Sequence, residues 1–243
     1  MSFREKFNAF IRKYFVNPKW RCLACGKEIF DSKEYFCTEC KDNLPFNDKA
    51  ICDHCGRKVL TFEDYCSTCK GVLVSLDKCR SVFNYEMPIN MLIKRLKYDN
   101  ARYLKDYFIE QLYLVYLKHY FNADIITCVP MTAKAFKKRG YNQSQLLAVG
   151  LAEKVNVAYM DLLEKTKETV RQVKLGRTDR LKNFLDVFKV KDKKLVKDKS
   201  VLIVDDVSTT GATGQAIAEK LKKAGAKQVF LLTVASVPPI QKY

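Results

Sequence analysis

Eight of the ten cysteines in this chain fall into four C-x2-C pairs, and the pairs form two near copies of one pattern. "CLACGKEIFDSKEYFCTECK" carries Cys22, Cys25, Cys37 and Cys40; "CDHCGRKVLTFEDYCSTCK" carries Cys52, Cys55, Cys66 and Cys69. The C-x2-C spacing lets two thiolates reach one ion from a tight turn. Gly26 and Gly56 permit the left-handed backbone that such a turn requires. Two facing turns put four thiolates in a tetrahedron, a closed structural zinc site. The repeat predicts two Zn2+, with each copy binding its own ion or alternate pairs sharing one. Four cysteines suffice for an ion, so His54 reads as a bystander. A segment this short builds little core, and metal binding would supply much of its folding free energy. Cys79 and Cys128 sit in apolar strand-like segments and read as buried small hydrophobes.

A chain of 243 residues holds one sizeable core plus a small appendage. The reading divides it into an amphipathic N-terminal helix over 1–20, a double zinc ribbon over 21–76 and a larger domain over 77–243. Phe3, Phe7, Phe10, Ile11, Tyr14 and Phe15 recur at helical spacing, but Arg4, Lys6, Arg12 and Lys13 interrupt them, unlike a secretory signal. No apolar run approaches the roughly 18–20 residues of a membrane span. A cytoplasmic location, where thiols stay reduced, follows as the expectation.

The net charge is +17. Residues 1–80 carry a formal +4, which eight thiolates and two Zn2+ would cancel, whereas residues 81–243 carry +13. Any attraction for polyanions therefore belongs to the larger domain.

In that domain strands alternate with helices. "CRSVFNYE" (79–86) reads as a strand. Ile89, Leu92, Ile93 and Leu96 mark an amphipathic helix, with Lys97 off its apolar stripe. A second helix spans about 101–119, and "DIITCVP" (124–130) is a buried strand. "AKAFKKRGYN" (133–142) reads as a basic loop and 143–155 as a helix. Residues 171–183 have mixed signals and suit a mobile loop. Strands at 185–190, 200–204 and 227–235 and a helix over 211–225 complete the series. Such alternation predicts an α/β fold with a parallel sheet covered on both faces. Ligands bind such sheets at the carboxyl ends of strands.

One such end carries "VLIVDDVSTTGATG" (201–214). Small residues and hydroxyls lead into a helix whose free N–H groups and dipole favour an anion. A phosphate suits that loop. Asp205 and Asp206, one step earlier, would repel it on contact. They make sense as acceptors for neighbouring hydroxyls, directly or through a metal, so a ribose 5-phosphate fits. Neither the G-x-x-x-x-G-K-[ST] nor the G-x-G-x-x-G nucleotide motif is present.

"VLIVDDVSTTGAT" resembles the phosphoribosyl-pyrophosphate (PRPP) motif of type I phosphoribosyltransferases. "LIKRLKYDN" (92–100), "VPMTAKAFKKRGYNQSQLLA" (129–148) and "RQVKLGRTDRLKN" (171–183) are similar to signatures of the bacterial ComF family, in the same order. The cysteine-rich region resembles its double zinc ribbon. Ser208 departs from the threonine or leucine expected there. The resemblance implies a parallel-sheet phosphoribosyltransferase domain behind the zinc module. It implies ribose hydroxyls on Asp205 and Asp206, and the 5-phosphate on Ser208, Thr209, Thr210, Gly211, Ala212 and Thr213. The turn Met131–Lys134, with Thr132, Ala133, Lys134 and Arg139, would meet the pyrophosphate. A flexible loop carrying Arg171, Lys174, Arg177 and Arg180 would close over the site, with Mg2+ accompanying PRPP. Two roles are implied: a phosphoribosyltransferase of unknown acceptor linked to DNA uptake in natural competence, or a non-catalytic scaffold that handles single-stranded DNA beside a competence helicase. Phe136 and Tyr141 are the aromatic residues placed to stack on bases.

Overall fold

The computed structural model describes residues 20–31, 34–48, 51–52, 54–57, 59, 65–66, 69–70, 75–167 and 187–238. Residues 1–19 of the helix expected over 1–20 and the whole segment 171–183 expected to be mobile, including Arg171, Lys174, Arg177 and Arg180, lie outside them. The chain separates into two compact units, residues 1–44 and 45–243.

The first unit holds Cys22, Cys25, Cys37 and Cys40 with their sulfurs all within 4.8 Å of one another. A short helix α1 (Thr38–Asp42) starts directly after Cys37. The second unit holds Cys52, Cys55, Cys66 and Cys69 in the same arrangement, all four buried. The two pairs opening the repeats form the same knuckle. The Gly26 amide donates to the Cys22 carbonyl at 2.9 Å and the Gly56 amide to that of Cys52 at 2.8 Å. Both glycines have positive φ, 77° and 65°. Each copy thus gathers its own four sulfurs, and the interleaved pairing is not the one adopted. Both tetrads fit Zn2+, a d10 ion that accepts four thiolates in a tetrahedron.

The second unit is an α/β structure in which a five-stranded parallel sheet has the order β1-β7-β6-β2-β3. The strands are β1 (Lys78–Asn84), β2 (Ile125–Cys128), β3 (Ala158–Tyr159), β6 (Ser200–Ser208) and β7 (Gln228–Ser236). A separate antiparallel pair joins β5 (Phe188–Val190), which falls within the strand expected over 185–190, to β4 (Leu163–Lys165), which was not anticipated from the sequence. At three residues β4 is too short to show a period. Helices α2 (Ile89–Tyr98) and α3 (Leu104–Lys118) join β1 to β2, α5 (Gln143–Val155) leads to β3, and α6 (Ala212–Lys223) joins β6 to β7.

Strand alternation sorts the core into two layers. Val201, Ile203, Val229 and Leu231 pack with Ala216, Ile217 and Leu221 of α6. Phe230, one residue out of phase, meets Phe121 at 5.6 Å, and Phe83 meets Tyr107 of α3 at 6.2 Å. Helices α3 and α5 lie in contact. There a Cβ on Gly150 would fall 2.2 Å from Ile109 Cδ1. Cys79 and Cys128 are buried as expected, and loss of solvent pushes both thiols up, Cys128 to about 11. Among the described residues no helix is long and apolar enough to cross a membrane.

One expectation is corrected. The basic segment after Pro130 is not wholly a loop: Ala133–Arg139 forms helix α4. Alanine and lysine are good helix formers. Thr132 caps the start, accepting from the Ala135 amide at 3.2 Å, and Gly140 ends it at φ 80°. Strand β6 also runs four residues past its expected end, so both aspartates lie within the strand.

Residues 45–47 cover the free edge of β1, with Gly56 packed beside them. The Asn84 amide donates to the Pro45 carbonyl at 2.8 Å, and the Asn47 amide to that of Val82 at 2.9 Å. The rings of Phe46 and Phe83 stand 4.8 Å apart. The Asn47 side chain donates to the Gly56 carbonyl at 2.6 Å. Gly56 itself lies so close that a Cβ there would sit 2.6 Å from the Cys79 carbonyl oxygen, whereas one on Gly26 would meet nothing within 4 Å. Arg57, 6% exposed, donates Nε to the Cys55 sulfur at 3.4 Å and Nη2 to that of Cys66 at 4.0 Å. A buried guanidinium thus offsets thiolate charge where water is excluded.

Gly26→Ala should therefore weaken its own unit by about 1–2 kcal/mol, the strain of a left-handed alanine. Gly56→Ala should be more damaging, because it adds a backbone clash. Thermal unfolding followed alongside release of zinc to a chromogenic chelator would compare the two.

Candidate functional site

The carboxyl ends of β2 and β6 lie side by side, with Cys128 paired to Val204. Four segments converge there: the turn after β2, the start of α5, the end of α2 and the loop after β6.

Adjacent residues of a strand project to opposite sides, so Asp205 and Asp206 find different partners. Asp205 Oδ1 accepts from Ser144 Oγ of α5 at 2.7 Å and from the Asp206 amide at 2.9 Å. Asp206, 3% exposed, accepts on Oδ1 from the Val207 amide at 2.9 Å. Its Oδ2 pairs with Lys97 Nζ of α2 at 2.5 Å. Loss of solvent, then the Asp206 charge, pushes the Asp205 carboxyl up to about 7, against the pull of Ser144 and Lys97. Burial works to lower the Lys97 ammonium, but Asp206 and then Asp205 outweigh it and leave it above the ordinary lysine value.

The "RGYNQS" stretch (139–144) now has a role for each residue. Arg139 donates to the Gln143 side chain and lies 5.1 Å over the Tyr98 ring. Gly140 ends α4 in the left-handed region. Tyr141 donates its hydroxyl to the Leu96 carbonyl, which ties this turn to α2. Asn142 caps α5 by accepting from the Ser144 amide at 3.0 Å, and its amide donates to the Val129 carbonyl at 3.0 Å. Ser144 then reaches Asp205.

The loop after β6 begins at Ser208, which is buried and accepts the Val237 amide at 2.9 Å. Thr209 and Thr210 are exposed. Thr210 Oγ1 accepts from the Ala212 amide at 3.3 Å. Gly211 holds φ 76° as the residue before α6, with open space around it. The first turn of α6 carries no acidic residue and leaves N–H groups without helical partners. Ala212 and Thr213 belong to that turn.

A cleft of about 310 Å³ is lined by Thr132, Arg139, Ser144, Lys165 and Asp205 among others. A larger one, about 640 Å³, lies across the Pro130–Met131 turn and takes in Ala133, Phe136, Tyr159 and Lys191. The structure thus brings Thr132, Arg139 and Asp205 to one cleft and Ala133 to its neighbour. Lys134 lines neither and is exposed. Asp206 turns away toward Lys97. Tyr141 is 6% exposed and unavailable for stacking, whereas Phe136 is 47% exposed. Lys97, Asn142, Ser144 and Lys165 were not singled out as site residues. The first three lie in the motifs "LIKRLKYDN" and "RGYNQSQ", where their polar character amid apolar neighbours was the available signal.

Comparison with known proteins agrees with this architecture. Residues 137–240 match the family "Phosphoribosyl transferase domain", and residues 15–70 match "Double zinc ribbon domain". Residues 15–70 thus resemble a double zinc ribbon, and residues 137–240 resemble a phosphoribosyl transferase domain. The chain's relatives share its length. It is 27% identical to "Competence protein F" of Haemophilus influenzae over 86% of this chain and 94% of that protein. It is 29% identical to "Competence protein ComFC" of Streptococcus pneumoniae, over 86% and 96% respectively. It is 28% identical to "DNA utilization protein YhgH" of Escherichia coli O157:H7, over 86% and 93%.

The raised Asp205 carboxyl has a thermodynamic consequence. The folded state holds a proton that the unfolded chain releases near the ordinary aspartate value of about 3.9. Between there and about 7 the native state binds more protons, so this group's contribution to stability falls as pH rises. Asp205→Asn should raise the melting temperature at pH 7 and flatten its dependence on pH over that window, as measured by calorimetric scans.

Proposed function

We propose that this protein binds PRPP at the carboxyl ends of β2 and β6 and serves DNA uptake from the cytoplasm. The observation that carries the reading is the meeting of Asp205, Thr132 and Arg139 at one cleft, next to a loop of hydroxyls and free amides at the start of α6. The 5-phosphate would rest on Ser208–Thr213, where Gly211 lets the backbone approach. Ribose hydroxyls would donate to the aspartates. The diphosphate would lie by Thr132, Ala133, Lys134 and Arg139. Arg171, Lys174, Arg177 and Arg180 are assigned to a closing loop on resemblance alone. Mg2+, held mainly by diphosphate oxygens, would neutralise charge on the leaving group.

In turnover the C1–O bond to pyrophosphate breaks and an acceptor bonds to C1 through an oxocarbenium-like transition state. This chain's residues position the sugar and offset the negative charge that develops on the leaving oxygen. Exclusion of water protects PRPP from hydrolysis. The link to DNA rests on the relatives named for competence and DNA utilization.

A second reading, handling of single-stranded DNA with a helicase partner, draws on the +13 charge of residues 81–243 and on exposed rings beside cations. Phe136 is 47% and Tyr98 70% exposed, with Arg139 over the latter. Aromatic rings among cations are what base stacking and phosphate contact require.

Calorimetric titration of zinc-loaded protein with PRPP and Mg2+ is the test. Micromolar binding is expected, lost in Asp205→Ala/Asp206→Ala. Absence of binding by the intact chain would sink the PRPP reading and leave single-stranded DNA affinity, with its salt dependence, as the next quantity to measure.

A further inference from the structure

Two carboxylates at the end of one buried strand are usually treated as a matched pair. Here they are not equivalent. Asp205 lines the cleft beside Thr132 and Arg139. Asp206 does not; it is buried and carries an ammonium on Oδ2. That ammonium belongs to Lys97, in the last turn of α2, where the helix dipole favours a cation. Leu92, Ile93 and Leu96 are fully buried and seat α2, so the lysine is delivered to the strand end from a fixed platform. The Lys97 and Asp206 side chains are 21% and 5% exposed. Such a pair is held by geometry and weakly screened.

We propose that Lys97 is a positioning residue that divides the labour of the two aspartates: it holds Asp206 as a structural counter-charge and leaves Asp205 as the principal acceptor for the ligand. The proposal rests on the PRPP reading for its ligand but not for its electrostatics. Among the described residues the titratable groups around the pair are few, and one of them, the buried thiol of Cys128 on β2, is held neutral by loss of solvent. Lys97 comes from α2, and Arg139 from α4 and Lys165 from β4 line the Asp205 cleft. The remaining close partner, Ser144 of α5, is neutral, as is Thr233, beside Asp205 on β7. Lys97 also counters the repulsion Asp206 exerts on Asp205, so it tunes the ligand-facing carboxylate at second hand. Without it, Asp205 would hold its proton to higher pH and accept hydroxyls less well at neutrality.

The test uses the full zinc-loaded chain carrying carboxyl-13C aspartate, with the Asp205 signal assigned through Asp205→Asn. Lys97→Met should move the Asp205 midpoint upward by about one pH unit or more, and Lys97→Arg should keep it near the wild type. The double variant Lys97→Met/Asp206→Asn removes both charges and should bring the midpoint back down. It also keeps the question open to measurement if Lys97→Met alone fails to fold. PRPP affinity at pH 7 should fall roughly tenfold in Lys97→Met and recover as pH is raised. Asp206→Asn should retain more affinity than Asp205→Asn. An Asp205 midpoint that ignores the loss of Lys97 overturns the proposal, as does an Asp206→Asn variant that binds no better than Asp205→Asn. If the wild type fails to bind PRPP, the ligand reading falls, while the titration still decides the role of Lys97.

Discussion

The burial of two adjacent negative charges at the end of β6 organises the domain around it. A pleated strand sends neighbouring side chains to opposite sides, so one counterpart could not serve both carboxylates. Asp206 is met by Lys97 from α2, Asp205 by Ser144 from α5. Each helix must then end or begin at a fixed point. The capping by Asn142, the left-handed Gly140 and the bond from Tyr141 to Leu96 fix those points. What looks in the sequence like several separate motifs is one network of charge compensation joining α2, the turn after β2, α5 and β6.

The domain around this network carries a large positive surplus. Most of its carboxylates lie elsewhere, and of the two at the strand end Asp206 is compensated by Lys97 while Asp205 meets the neutral hydroxyl of Ser144. The cleft beside them is lined by Arg139 and Lys165 with Asp205 as its acid. An anion approaching the loop after β6 would meet amides and hydroxyls first, because Asp206 stays turned into the structure against Lys97.

Much of this was legible beforehand. The cysteine repeat gave metal-binding geometry because ligand spacing is local, and β2, β6 and β7 announced themselves as continuous apolar runs, whereas the two-residue β3 did not. The run of hydroxyls between β6 and α6 was visible in residue types alone. Pairings made across long sequence distances were not: Lys97 to Asp206 spans more than a hundred residues, and no periodicity reports it. Basic composition hid helix α4, whose cap at Thr132 and stop at Gly140 carried the signal. Strand β4, three residues long, is too short to leave a pattern, and its pairing with β5 is made across a gap in sequence. Nor does alternation alone tell that Asp205 and Asp206 lie inside the strand rather than just beyond it.

The second cysteine cluster is more than an appendage, because the segment leading into it occupies the edge of β1. An uncovered edge presents unpaired amides and carbonyls to any extended chain nearby. Pro45, Asn47 and Gly56 occupy that edge, and the buried tetrad of Cys52, Cys55, Cys66 and Cys69 holds the Gly56 knuckle in shape. Removing metal from this cluster would thus reach beyond the knuckle itself: it would loosen the cover on β1 and offer that strand's edge to another chain.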